Sequence, residues 1–70
     1  MLKGNTGVRL KKLREAQGMT QADLSEHSGI HRVTVARYEI GDVSMSLENA
    51  SKLAAALGVT VDELVKEDEE

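Results

Sequence analysis

The order of apolar and polar positions along this chain predicts helices. Apolar residues recur three or four positions apart, as at Leu10 and Leu13 or at Leu53 and Leu57, a spacing that lines one face of a helix. The one stretch of strand-like character, "VTV" at residues 33–35, is shorter than a strand and lies inside a helical period. We therefore predict an all-α protein.

Cap residues divide this pattern at regular intervals. Glycine is favoured just after a helix ends, and four glycines stand at such positions: Gly18, Gly29, Gly41 and Gly58. Serine and threonine are favoured just before a helix begins, and three stand there: Thr20, Ser46 and Thr60. The boundaries predict five helices, at roughly residues 6–17, 21–28, 32–40, 47–57 and 61–66.

Two of the predicted helix starts carry a carboxylate three residues after the threonine. "TVDE" with Glu63 fits the reciprocal capping box, and "TQAD" with Asp23 approximates it. Short helices are marginal alone, so these must share a core. The positions predicted to form that core are Leu10, Leu13, Met19, Ala22, Leu24, Ile30, Val35, Tyr38, Leu47, Ala50, Leu53, Ala54, Leu57, Val59, Leu64 and Val65.

Length and composition narrow the class of protein. Seventy residues predict one domain, and a chain without cysteine has neither disulfides nor thiolate metal sites. Residues 1–10 lack the apolar run of a signal peptide, and no segment reaches membrane-spanning length. We expect a cytoplasmic protein with no membrane partner.

The net charge of −3 conceals an uneven distribution. Residues 62–70 hold six carboxylates and one lysine, so residues 1–61 carry the remaining eight basic and six acidic side chains, a balance of +2. We predict a domain over residues 1–66 and a solvated acidic tail over residues 67–70. A mildly basic body permits a polyanionic partner.

The third predicted helix, within "GIHRVTVARYE", has two unlike faces. On a helical wheel at ~100° per residue, Thr34, Val35 and Tyr38 share the arc that suits a core. The opposite arc, which we call the arginine face, consists of Arg32, Val33, Ala36, Arg37 and Ile40. Guanidinium groups bind phosphates or guanine edges, and small or apolar side chains meet thymine methyl groups. Composition alone fits equally well a solvated surface on which the apolar residues pack against neighbours.

The order of the elements favours nucleic-acid recognition. A capped helix, "TQADLSEHS", runs into Gly29 and Ile30 directly before the helix that bears the arginine face. Two helices joined by a tight turn that contains glycine form a helix-turn-helix unit. In that unit the second helix is placed to enter the major groove.

The chain also resembles a known family. "RLKKLREAQGMTQADLSEHSGIHRVTVARYEIG" followed by "SLENASKLAAALGVTVDEL" is similar to the phage-repressor/Cro-like helix-turn-helix family, also called the xenobiotic-response-element family. The likeness covers about residues 5–65. It implies a compact five-helix, lambda-repressor-like domain that binds double-stranded operator DNA, often as a dimer on palindromic sites.

The resemblance also implies roles for single residues. The glutamine that opens the second helix anchors the DNA backbone in the family, and that position is Gln21 here. Residues expected to contact DNA in or beside the third helix are His31, Arg32, Val33, Ala36 and Arg37, with Ser44 in the following loop. Arg32 is the candidate for a guanine, whereas Arg37 fits a base or a phosphate equally. His31 replaces the serine or threonine usual at this cap, so the start of the helix is expected to fray.

Arg14 and Glu39 match family positions that form a partly buried structural ion pair. The chain departs from the family pattern at Met45, where proline is common, and at Asp42, where the loop is often basic. Asp42 opposes a phosphate contact, so we expect modest and salt-dependent affinity. The basic residues of the first helix, such as Arg9 and Lys11, are expected to form a solvated face.

Other classes of function fit less well. No nucleophile and base stand together, and a core this small leaves no room for a substrate cavity, so we expect no enzyme. His27 and His31 have the spacing of metal ligands but are separated by Gly29, so we expect neither a metal nor a small-molecule cofactor.

Two alternatives to DNA binding remain from the sequence. One is a protein-interaction module on a helix-turn-helix scaffold, which the acidic tail favours. The other is an antitoxin-like partner protein, which would be expected to carry a toxin-binding segment after Glu70. Our prediction is a sequence-specific, repressor-like transcriptional regulator that acts as a homodimer and is associated with the nucleoid when bound to DNA.

Overall fold

The computed structural model describes residues 6–66. Five helices make up this part of the chain: Thr6–Ala16 (α1), Gln21–Ser28 (α2), Arg32–Ile40 (α3), Leu47–Leu57 (α4) and Val61–Val65 (α5). Residues 6–66 contain no strand, and the all-α, five-helix prediction is confirmed. The predicted acidic tail and the first five residues of the predicted domain lie outside the described residues.

Side-chain caps begin the helices where the sequence predicts them. Thr20 Oγ1 accepts a hydrogen bond from the Asp23 N–H at 3.0 Å, and Asp23 Oδ2 accepts one from the Thr20 N–H at 3.0 Å. The backbone bond from Thr20 lowers the pKa of Asp23. This cap therefore stabilises the fold fully above the carboxyl's ordinary pKa and is lost as the pH falls through the lowered value.

The reciprocal capping box forms at Thr20 with Asp23 and not at Thr60 with Glu63, although the second pair fits the sequence motif better. Thr60 Oγ1 caps the Glu63 N–H at 3.0 Å, as predicted. The Glu63 carboxylate, however, accepts from Arg9 Nη2 of α1 at 2.8 Å, and Arg9 Nε donates to the Glu63 carbonyl at 2.9 Å. Arg9 is thus not a member of a solvated face, because it ties α1 to α5.

The core lies where all five helices meet. Its buried apolar side chains are Leu10, Leu24, Ile30, Val35, Tyr38, Met45, Ala50, Leu53, Ala54, Leu57 and Leu64. Burying one leucine stabilises the fold by about 1.5–3 kcal/mol. Two predicted core residues are exposed: Ala22, and Leu47 at 65% exposure. Met45, in the loop before α4, is buried in the core although no helical period includes it.

Helix α3 is held from two sides. It packs against α1 and α2, while α4 packs against α2 and α5. Gly7 lies at a close approach between α1 and α3, because a Cβ added there would overlap the Tyr38 carbonyl oxygen and stand 2.9 Å from its carbonyl carbon. The absence of a side chain at Gly7 therefore lets α1 lie directly on the backbone of α3.

Candidate nucleic-acid interface

Helix α3 separates buried from exposed residues as the wheel predicts. Val35 is fully buried and Tyr38 is 6% exposed. On the arginine face, Arg32 and Arg37 are exposed, Val33 is 52% exposed and Ile40 is 77% exposed. Ala36 is half-buried between them. The face is therefore a solvent-accessible surface with two cationic groups and apolar side chains around a small residue.

The turn between α2 and α3 fixes how that face is presented. Gly29 adopts a left-handed conformation with φ 78°, which costs little for glycine alone, and its N–H donates to the Ser25 carbonyl at 2.9 Å. The next residue, Ile30, is buried, and its N–H donates to Ser28 Oγ at 3.2 Å. The turn thus ends α2 and anchors the chain in the core immediately before α3 begins.

His31 caps α3 with its ring. The residue is exposed, and its Nδ1 accepts a hydrogen bond from the Val33 N–H at 3.1 Å. A ring nitrogen that accepts is unprotonated, so in neutral His31 the hydrogen is on Nε2, which is a donor. The expected fraying is therefore opposed by a side-chain cap. Nε2 is thus the ring nitrogen that can donate to an anionic acceptor.

A buried charged cluster lies behind the arginine face. Arg14 Nε donates to Glu39 Oε2 at 2.7 Å and Arg14 Nη2 donates to Oε1 at 3.1 Å, while Nη1 donates to the Met19 carbonyl at 2.6 Å. The two side chains are 9% and 2% exposed. The hydrogen bond with Glu39 raises the pKa of Arg14 above its ordinary value. This ion pair, expected from the resemblance, links α1 to the last turn of α3.

Gln21 joins the same cluster. Its Nε2 donates to Glu39 Oε1 at 3.0 Å, so Glu39 receives hydrogen bonds from two helices. A glutamine amide carries two N–H donors, and Glu39 engages one of them. Gln21 is half-buried at the start of α2, and its bond to Glu39 occupies one of the two amide hydrogens.

The loop after α3 contains charged and polar side chains beside the arginine face. Arg37 Nε lies 3.7 Å from Asp42 Oδ2, and both side chains are more than half exposed. Ser44 is exposed two residues further on. Asp42, whose charge is expected from the sequence to oppose a phosphate contact, therefore lies next to Arg37, one of the two exposed arginines.

Sequence reasoning missed the polar contacts between distant segments. Asn49 Nδ2 donates to Tyr38 Oη at 2.7 Å, and Gln17 Nε2 donates to the Leu57 carbonyl at 2.6 Å. Neither pair has a local pattern, since the partners stand 11 and 40 residues apart. The tyrosine contact also joins the end of α3 to the start of α4.

No three His, Asp or Glu side chains within residues 6–66 are grouped so that they could hold a metal ion. None of the helices described above is both long and apolar enough to cross a membrane.

Comparison with known proteins identifies the fold as one used by regulators. A family model described as helix-turn-helix matches residues 10–64. The chain is 40% identical over 60 residues to the SPbeta prophage-derived HTH-type transcriptional regulator YonR of Bacillus subtilis, covering 86% of this chain and 56% of that protein. It is 38% identical over 56 residues to the cryptic phage CTXphi transcriptional repressor RstR of Vibrio cholerae, covering 80% and 50%. The chain spans about half the length of these curated relatives.

Solved structures give the same result. The restriction-modification controller protein C.AhdI of Aeromonas hydrophila superposes with a TM-score of 0.84 and 41% identity, covering 87% of this chain and 92% of that one. A hypothetical transcription factor, NHTF, from Neisseria superposes with a TM-score of 0.85 and 29% identity, covering 93% and 75%. The family match to residues 10–64 runs from within α1 to within α5 and so includes the turn that presents α3.

Proposed function

The chain belongs to the Cro/C1-type helix-turn-helix family, and from that premise we propose that it regulates transcription by binding double-stranded operator DNA. The observation that carries the proposal is the arginine face: an exposed helix surface with two guanidinium groups, anchored by a glycine turn on one side and a buried ion pair on the other. The DNA-binding unit comprises residues 1–66, and residues 67–70 form a tail.

The contacts divide into base readers and backbone anchors. Arg32, in the first turn of α3, meets a guanine edge, and Val33 and Ala36 meet thymine methyl groups, because the N-terminal residues of a recognition helix lie nearest the bases. His31 through Nε2, Gln21 through its second amide hydrogen and Ser44 through its hydroxyl donate to phosphates. Contacts to phosphates fix the register of the helix on the duplex.

The names of the similar proteins favour regulation of transcription over a protein-interaction module or an antitoxin-like partner. The two curated relatives are named as a transcriptional regulator and a transcriptional repressor, and the solved neighbours are a controller protein and a transcription factor. The family consists of DNA-binding regulators and not of enzymes. We accordingly rank repressor-like DNA binding above a protein-interaction module or an antitoxin-like partner. In this proposal the protein is cytoplasmic and is associated with the nucleoid when bound to DNA.

The proposal extends to a homodimer. One helix reads only a few base pairs, and two half-sites one helical turn apart, ~34 Å, give useful specificity. The domain measures 31 × 22 × 19 Å. Two such domains side by side are together long enough to cover two half-sites at this spacing. We expect sedimentation of the complex to show two chains per operator duplex and the selected operator to be palindromic. A single chain on a non-repeated site would contradict this extension.

The function is tested by selecting bound sequences from a random duplex pool. For the selected operator, Arg32→Ala is expected to weaken binding by about 1–3 kcal/mol and to relax the preference at one base pair, because a bidentate guanine contact is lost. Lys52→Ala is the matched control, since Lys52 is an exposed cation on α4 that faces Glu48 at 3.8 Å. Equal affinity of the Arg32→Ala variant and the wild type would show that the bases are read elsewhere.

A further inference from the structure

The backbone at the end of α3 places Asp42 beside Arg37. Gly41 takes a left-handed conformation with φ 78°, and its N–H donates to the Tyr38 carbonyl at 3.1 Å. The Asp42 N–H donates in turn to the Arg37 carbonyl at 3.0 Å. These two hydrogen bonds form a Schellman-type end to the helix. In this end, Asp42 lies next to Arg37, five positions earlier in the chain. The proximity of the two side chains thus follows from the turn.

Stability does not account for a carboxylate at this position. The distance from Arg37 Nε to Asp42 Oδ2 is 3.7 Å, longer than a hydrogen bond, and the side chains are 58% and 55% exposed. Exposed pairs of this kind contribute little because water and salt screen them. The C-terminal end of a helix also carries partial negative charge, which disfavours an anion there.

The same carboxylate has a large effect on local charge. Within residues 29–46, Glu39 is buried against Arg14, and the exposed charged side chains are Arg32, Arg37 and Asp42. Asp42 therefore lowers the exposed charge of α3 and its following loop from two positive groups to a net of one. This lower positive charge weakens non-specific DNA binding more than specific binding, because non-specific binding depends almost entirely on electrostatic contacts with phosphates.

We propose that Asp42 is a specificity-determining residue that acts through Arg37, an inference that rests on the proposed DNA binding. Asp42 repels phosphates and attracts the guanidinium of Arg37 from its Nε side, so the group is biased away from the DNA backbone. The terminal nitrogens of the group remain directed to a guanine edge, which takes two adjacent donors. Arg37 is then a base reader, and Asp42 lowers affinity for DNA that lacks the right base.

The test compares Asp42→Asn with Asp62→Asn on the selected operator and on a random duplex. Asp62 is an exposed carboxylate on α5, a helix that packs against α1 and α4, so the control removes the same charge elsewhere. We expect Asp42→Asn to bind random duplex about 3- to 10-fold more tightly, with a salt slope steeper by about 0.9 for one additional phosphate contact. Operator affinity is expected to change less than about 2-fold, so the ratio of specific to random binding falls.

A second arm asks whether Asp42 acts through Arg37. In an Arg37→Gln background, Asp42→Asn is expected to lower the ratio of operator to random binding by less than half as much as it does beside Arg37. Only the direct repulsion of phosphates is then relieved, because the side chain that Asp42 directs is gone. The inference is overturned if Asp42→Asn raises both affinities equally, if Asp62→Asn has the same effect, or if the ratio falls as far without Arg37 as with it. Wild-type protein that binds neither duplex at low salt would overturn the proposed function itself, whereas wild-type binding with an unchanged ratio in Asp42→Asn overturns this inference alone.

Discussion

Replacing Arg14 with methionine is expected to lower the free energy of unfolding by about 3–5 kcal/mol, because Glu39 is left as a buried charge without its cation. The Glu39 side chain is 2% exposed and receives two hydrogen bonds from Arg14. A domain of this size is stable by roughly 0.05–0.15 kcal/mol per residue, so the loss is a large share of the total. Thermal unfolding monitored by circular dichroism should show a midpoint lower by about 4–8 °C per kcal/mol.

Two further variants separate charge burial from lost packing. Arg14→Met combined with Glu39→Met is expected to recover most of the loss, since apolar side chains of similar volume replace a buried ion pair at little cost. Lys11→Met, an exposed position on the same helix, is expected to change stability by less than about 0.5 kcal/mol. An Arg14→Met variant with the wild-type melting midpoint would contradict a structural role for the pair.

Gly7→Ala is the second substitution for which we expect a large effect. Helix propensity alone predicts that alanine stabilises an interior helix position by about 1 kcal/mol relative to glycine. The structure predicts the opposite sign, because the new Cβ would overlap the carbonyl oxygen of Tyr38 in α3. Overpacking typically costs about 1–3 kcal/mol, and backbone cannot rotate aside as a side chain can. We expect a cost at the top of that range, so the net loss after the propensity gain of ~1 kcal/mol is about 2 kcal/mol in chemical denaturation.

Gly58→Ala is the control for this prediction. Gly58 has φ 72°, and a Cβ added there would meet no heavy atom within 4 Å. Its replacement is expected to cost about 1–2 kcal/mol, from backbone strain alone. A Gly7→Ala variant more stable than the wild type would mean that α1 and α3 do not approach each other as closely as the structure has them.

These two predictions concern the same part of the fold. Gly7 and Arg14 both lie on α1 and both contact the last turns of α3, at Tyr38 and Glu39. Helix α1 therefore supports α3 from behind, opposite the arginine face. A recognition surface needs such support, because contacts to bases require side chains held within a fraction of an ångström.

The helices could be predicted from the sequence because their boundaries have local causes. Glycine turns and side-chain caps act within four residues, so every predicted helix starts at the observed residue and the ends differ by at most one. Thr20 and Gly41 each show the bond that the cap rules require. The arginine face was predictable for the same reason, since the period of a single helix decides which of its residues share a side.

The remaining features depend on packing between segments distant along the chain. Leu47 fits the apolar period of α4 yet is exposed, because it stands at the first position of the helix, beyond the reach of neighbouring helices. Met45 is buried from a loop, where no period exists. The partner of Arg9 is 54 residues away. Glu39 was assigned to its ion pair only through the family resemblance, since a helical period alone places no carboxylate in a core.

The most direct test of the central claim maps the DNA-binding surface by NMR. The ¹⁵N-labelled chain would be titrated with the selected operator duplex at low salt, with its amide shifts followed. We expect perturbations to concentrate at the start of α2, at residues 31–37 and in the loop around Ser44, and we expect α5 to be unaffected. Perturbations centred on α4 and α5, with residues 31–37 unchanged at saturating DNA, would contradict the claim that the arginine face binds the duplex.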